Sequence, residues 1–76
     1  MKALSELSIG ERGIIESILD SELRQKLLEM GCTPGEEICL VRQAPFGGPL
    51  AILISSSMLS LSKLDASQII VKILDE

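Results

Sequence analysis

Two cysteines, Cys32 and Cys39, are the thiols of the chain, which has no histidine. A reactive thiol needs a base or a cationic neighbour to lower its pKa, and no histidine is present to serve as one. A tetrahedral structural metal site asks for four Cys or His ligands, so one chain falls short and only a dimer pooling four thiolates would supply them. Glu36, Glu37 and Asp65 offer oxygen ligands to a hard cation, but acids at turns and strand edges are usually solvated. A glycine-rich phosphate-binding signature is missing as well. These residues point away from catalysis and toward no resident cofactor, with at most a weak or adventitious divalent transition metal. Cys32 follows a helix on a turn and is expected to be the more exposed thiol. Cys39 lies within a strand, where a free cysteine is more often a small buried hydrophobe.

The strongest local constraint is Ala44-Pro45-Phe46-Gly47-Gly48-Pro49-Leu50, which sets two prolines, two glycines and the only aromatic residue between two apolar runs. Proline fixes φ and removes a donor, whereas glycine reaches φ values other residues avoid, so neither helix nor central strand passes through this stretch. It is read as a structured loop. Phe46 either folds inward to plug one end of the core or stands outward as an anchor for a partner.

The elements that must position these residues belong to one domain, 1–76, because 76 residues bury only about 60% of the surface of the unfolded chain. With 46% apolar residues and one aromatic, the core is aliphatic. The lack of Trp and Tyr and the net charge of −4 disfavour nucleic acid and anionic lipid, since both present phosphate to the protein. No apolar run reaches the ~18–20 residues of a membrane span, and Met1-Lys2-Ala3-Leu4-Ser5-Glu6 lacks the apolar core of a secretion signal. A cytoplasmic protein without direct membrane insertion, with both thiols free, is the expectation.

Along the chain, Leu4, Leu7 and Ile9 are expected to lay apolar side chains on the core from one helical winding, followed by a turn at Gly10 to Gly13. A first strand spans Gly13 to Leu19, with inward parity undefined by its composition. Asp20-Ser21 reads as a helix N-cap. Leu23, Leu27 and Met30 then form one apolar stripe, with Arg24 and Lys26 on a solvated face, and Gly31 ends the helix as an αL residue. Strands follow at Glu37 to Gln43, Leu50 to Ser55, Met58 to Ser62 and Ile69 to Leu74, with one short helical turn over Lys63 to Gln68 and Asp75 and Glu76 fraying into solvent. The fold class is mainly β: five short strands, with one helix inserted after the first, bending into a small barrel.

Three blocks of the chain resemble the FeoA family. They are Arg24-Gln25-Lys26-Leu27-Leu28-Glu29-Met30-Gly31 followed by Pro34-Gly35; Val41-Arg42-Gln43-Ala44-Pro45-Phe46-Gly47-Gly48-Pro49-Leu50; and Leu59-Ser60-Leu61 through Asp65-Ala66 to Ile70-Val71. Ser62 stands where family members often carry an arginine. The resemblance implies an SH3-like barrel and a non-enzymatic accessory role in ferrous-iron transport and iron homeostasis, through protein–protein interaction with the cytosolic part of FeoB, the membrane ferrous-iron transporter. A second reading is a metal-binding or metal-sensing domain related to the C-terminal domains of iron- and manganese-dependent repressors. The expected partner surface comprises Leu27, Met30, Gly31 and Cys32 together with Pro45, Phe46, Gly47, Gly48, Pro49 and Leu50, carried by a monomer or weak homodimer.

Overall fold

In the computed structural model, which describes residues 1–74, six strands form one antiparallel sheet in the order β1-β6-β2-β3-β4-β5. The strands are β1 (Lys2–Ala3), β2 (Arg12–Ile18), β3 (Glu37–Gln43), β4 (Leu50–Ile54), β5 (Ser57–Leu61) and β6 (Ile69–Ile73). Helix α1 (Ser21–Glu29) follows β2, and a single turn, α2 (Lys63–Ala66), separates β5 from β6. The five expected strands are all present within one or two residues of their expected ends. The two-residue β1, paired to β6 through Lys2–Val71 and Ala3–Ile70, is additional, being too short to carry an alternation pattern. Asp75 and Glu76, expected to fray, lie outside the described residues.

The alternation of aliphatic residues directs the core. Leu50, Ile52 and Ile54 of β4 point inward, as do Ile38 and Leu40 of β3 and Ile69 and Val71 of β6. In β2 the buried isoleucines are Ile15 and Ile18, three apart rather than two. A β-bulge explains this: the pairing to β6 skips Glu16, so Ile15 meets Val71 and Ser17 meets Ile70. One extra residue reverses the parity of everything beyond it. A second bulge in β3 leaves Val41 unpaired between Leu40, opposite Ile52, and Arg42, opposite Ala51, which bends the strand over the core.

The first helical winding is a 3₁₀ turn at Leu4–Glu6, and it buries Leu4 while Leu7 just beyond is also buried. Ile9, expected to join them, is exposed because it sits in the turn leading to Gly10. Helix α1 contributes Leu23 and Leu27 to the core. Asp20 is its N-cap residue, but its side chain makes no capping hydrogen bond. Arg24 is not simply solvated: its Nε and one terminal nitrogen donate to the Ile18 carbonyl at 3.3 and 2.9 Å, tying the helix to the end of β2. Ser62 caps α2, its Oγ accepting the Asp65 N–H at 3.0 Å.

Candidate functional site

The loop between β3 and β4 continues the hairpin beyond the Gln43–Leu50 pair. The Ala44 N–H donates to the Pro49 carbonyl at 3.0 Å, and the Gly48 N–H donates to the Pro45 carbonyl at 3.2 Å. Phe46 and Gly47 occupy the centre of this inner turn with φ of 60° and 74°, the left-handed pair of a type I′ turn. Such a turn normally takes Asn-Gly or Gly-Gly, since a side chain beyond Cβ gains nothing there and the backbone is strained. Here the strained position holds a phenylalanine whose side chain is fully exposed. Phe46 points outward, which decides between the two orientations the sequence leaves open. Pro45, Gly47 and Pro49 are exposed around it, whereas Leu50 is the first inward residue of β4 and is fully buried.

At the end of α1 the Gly31 N–H donates to Leu28 O at 3.1 Å and the Cys32 N–H to Leu27 O at 2.8 Å, with Gly31 at φ 82°. This is a Schellman ending, in which the residue after the glycine packs an apolar side chain back on the last helical turn. Leu27 and Cys32 are accordingly both fully buried. That corrects the expectation of an exposed Cys32, and it removes Leu27, Cys32 and Leu50 from any surface. Burial pushes the Cys32 thiol above its ordinary pKa, with the Glu36 charge adding to the effect. Cys39, expected to be the buried thiol, is half-buried. It pairs with Leu53 on the outward face of the sheet.

Met30 flanks the helix end rather than completing its buried stripe, and its side chain is half-exposed. With Gly31 it forms one wall of a groove of about 280 Å³, whose other wall is Ile54, Ser55, Ser57, Met58 and Leu59. This groove lies at the Ile54 end of β4 and the Phe46 loop at the Leu50 end, roughly 13 Å away along a strand of this length. The two halves of the expected partner surface are therefore separate features. Met58 and Leu59 were not expected on such a surface; the signal for them was the absence of any charge from Ser57 to Leu61.

The acids do not converge. Glu37 accepts from Arg12 at 3.1 Å, Glu36 accepts from the Ser55 hydroxyl at 3.0 Å, and Asp65 lines a different cleft with Asp20, Glu22 and Lys26. Among the described residues no three Cys, Asp or Glu side chains come together as a metal-holding group. Cys32, buried and with a raised pKa, is a poor thiolate donor, so the described residues do not offer two accessible thiolates per copy to a cluster shared between two copies. Among the described residues, no helix is long and apolar enough to cross a membrane.

The FeoA domain family model matches residues 2–73. No curated protein matches the chain. Among solved structures, an iron uptake regulatory protein (FeoA) superposes with a TM-score of 0.84 at 36% identity, covering 96% of both chains. Stenotrophomonas maltophilia FeoA, solved with zinc and described as a procaryotic SH3 domain protein, has a TM-score of 0.81 at 27% identity, covering 95% of this chain and 91% of its own. A manganese-dependent transcriptional repressor shares the fold, with a TM-score of 0.87 at 20% identity over 96% of this chain and 36% of its own. The mainly β, SH3-like architecture and the match over nearly the whole length agree, and the chain belongs to the FeoA family.

Proposed function

We propose that this protein is a cytoplasmic, non-enzymatic accessory of ferrous-iron uptake that binds the cytosolic part of a FeoB-type transporter and modulates transport. Membership of a family tied to iron uptake supports the pathway. The observation that carries the binding role is Phe46. A large apolar ring fully in water, on a backbone position that disfavours it, stabilises nothing in the free protein, and strain of this kind collects where a contact is made. The loop is held by Pro45, Pro49 and two backbone hydrogen bonds, so little ordering entropy is lost on binding. An aromatic anchor on a rigid turn is the kind of residue that dominates an interface.

The test is a Phe46→Ala variant of the full chain, assayed for association with the transporter's cytosolic part and for ferrous-iron uptake in cells lacking the wild-type protein. Loss of both with an unchanged melting temperature is the expected result. Full retention of both in a folded variant would overturn the reading.

A further inference from the structure

The strand order leaves β5 at one edge of the sheet, paired only to β4. The β4–β5 connection is a two-residue turn, Ser55-Ser56, with φ of 49° and 66°, so Ile54 and Ser57 are its hydrogen-bonded pair. Antiparallel ladders alternate, and Ser57, Leu59 and Leu61 therefore spend their backbone groups on β4. The N–H and C=O groups of Met58 and Ser60 face the free edge. Natural edge strands are usually blunted by charge, proline or a bulge. Ser57-Met58-Leu59-Ser60-Leu61 has no charged residue or proline, and its pairing to β4 is unbroken from Ser57 to Leu61.

We propose that this edge is a homodimerisation surface, in which β5 pairs antiparallel with β5 of a second copy about a two-fold axis at Leu59. The register follows from the hydrogen-bonding groups. Only with Met58 opposite Ser60 of the second copy are both outward-facing residues of each strand satisfied, giving four backbone hydrogen bonds; centring on Met58 or on Ser60 leaves one of them without its strand partner. The same register keeps the half-buried Leu59 of each copy together on the inner face.

Charge selects a second copy as the occupant. Lys63 lies two residues past Leu61 at one end of β5, and Glu36 is held beside the Ser55-Ser56 turn at the other end, so antiparallel pairing brings the Lys63 end of one copy to the Glu36 end of the other. The Ser55 hydroxyl holds the Glu36 carboxylate at 3.0 Å. Two symmetric Lys63–Glu36 ion pairs thus close the ends of the joint. The pairing is isologous and uses up the edge in both copies, so it gives a closed dimer rather than a fibre. One five-residue strand is a small interface, and the dimer is weak.

Sedimentation equilibrium of the full chain over a hundredfold concentration range, with amide exchange by NMR at both extremes, tests this. The expected result is concentration-dependent dimer, with the Met58 and Ser60 amides becoming protected as it forms while Ser57, Leu59 and Leu61 are protected throughout. Ser60→Pro removes an outward N–H without breaking a β4 bond and should leave a folded monomer. Lys63→Glu should weaken association by about tenfold, and adding Glu36→Lys should restore it; this pair decides the matter if the proline variant fails to fold. A wild-type chain that stays monomeric, a dimer that persists with Met58 and Ser60 exchanging freely, or a Lys63→Glu loss that Glu36→Lys does not recover would overturn the proposal.

Discussion

A Cβ placed on Gly48 would stand 2.7 Å from the Cβ of Ala44 and 3.2 Å from the Pro45 carbonyl oxygen, so the two arms of the Phe46 loop touch across a space that only glycine fits. Gly48 has no left-handed φ to explain it; the close approach does. Gly48→Ala should therefore force the arms apart and cost about 1–3 kcal/mol, measurable by urea unfolding. The Ala44 and Gly48 amides should lose exchange protection in the same variant.

Phe46 offers a separation of stability from function. Its left-handed backbone suits Asn, and Asn-Gly is the preferred sequence for this turn. Phe46→Asn should raise stability by about 0.5–1 kcal/mol while abolishing transporter association. Thermal melts and a pull-down on the same preparation check both halves. A variant that is more stable and still binds would show that the ring is not the anchor.

The two thiols should differ in reactivity. Cys39 is half-buried and Cys32 fully buried, so one equivalent of a thiol reagent should react under native conditions, at Cys39, and the second only on unfolding. The raised Cys32 pKa also sets a sign. The unfolded chain releases this proton first as pH rises, so the stabilisation is complete below about pH 8.5 and falls away above it. Cys32→Ala should flatten that alkaline loss in a pH series of unfolding curves.

At the acid end, Glu11 accepts the Ser8 N–H at 2.9 Å and lies 3.4 Å from Lys2. The Ser8 hydrogen bond is the main cause of its lowered pKa. A lowered carboxyl pKa contributes stability that is present above its unfolded value, about pH 4.3, and lost as pH falls through the folded value. Glu11→Gln should show a shallower decline of melting temperature below that pH than the wild type.

Arg24 should matter for folding rather than for charge. Its two hydrogen bonds to Ile18 O join α1 to β2, and Arg24→Ala should cost about 1–2 kcal/mol. Lys26, exposed on the same helix, should change stability by less than about 0.5 kcal/mol when replaced by Ala. Chemical unfolding of the two variants side by side gives the comparison.

Much of this molecule was written in local patterns. The strands from Glu37 to Gln43 and Leu50 to Ile54, the helix stop at Gly31 and the irregular stretch from Ala44 to Pro49 follow from period-two alternation and from the backbone limits of proline and glycine, which act within a few residues. The family resemblance rests partly on the same segments, the helix end at Gly31 and the stretch from Val41 to Leu50, and partly on the block from Leu59 to Val71. Tertiary structure decided what those limits leave open. Whether Ile15 and Ile18 both face inward depends on a bulge at Glu16 opposite β6, more than fifty residues away in sequence. Cys32 is interior because the chain after Gly31 turns back onto Leu27. The outward direction of Phe46 and the separation of its loop from the Met30 groove follow from how the β3–β4 hairpin spans the sheet, since a surface is defined by which residues lie next to each other in space and not by their order along the chain.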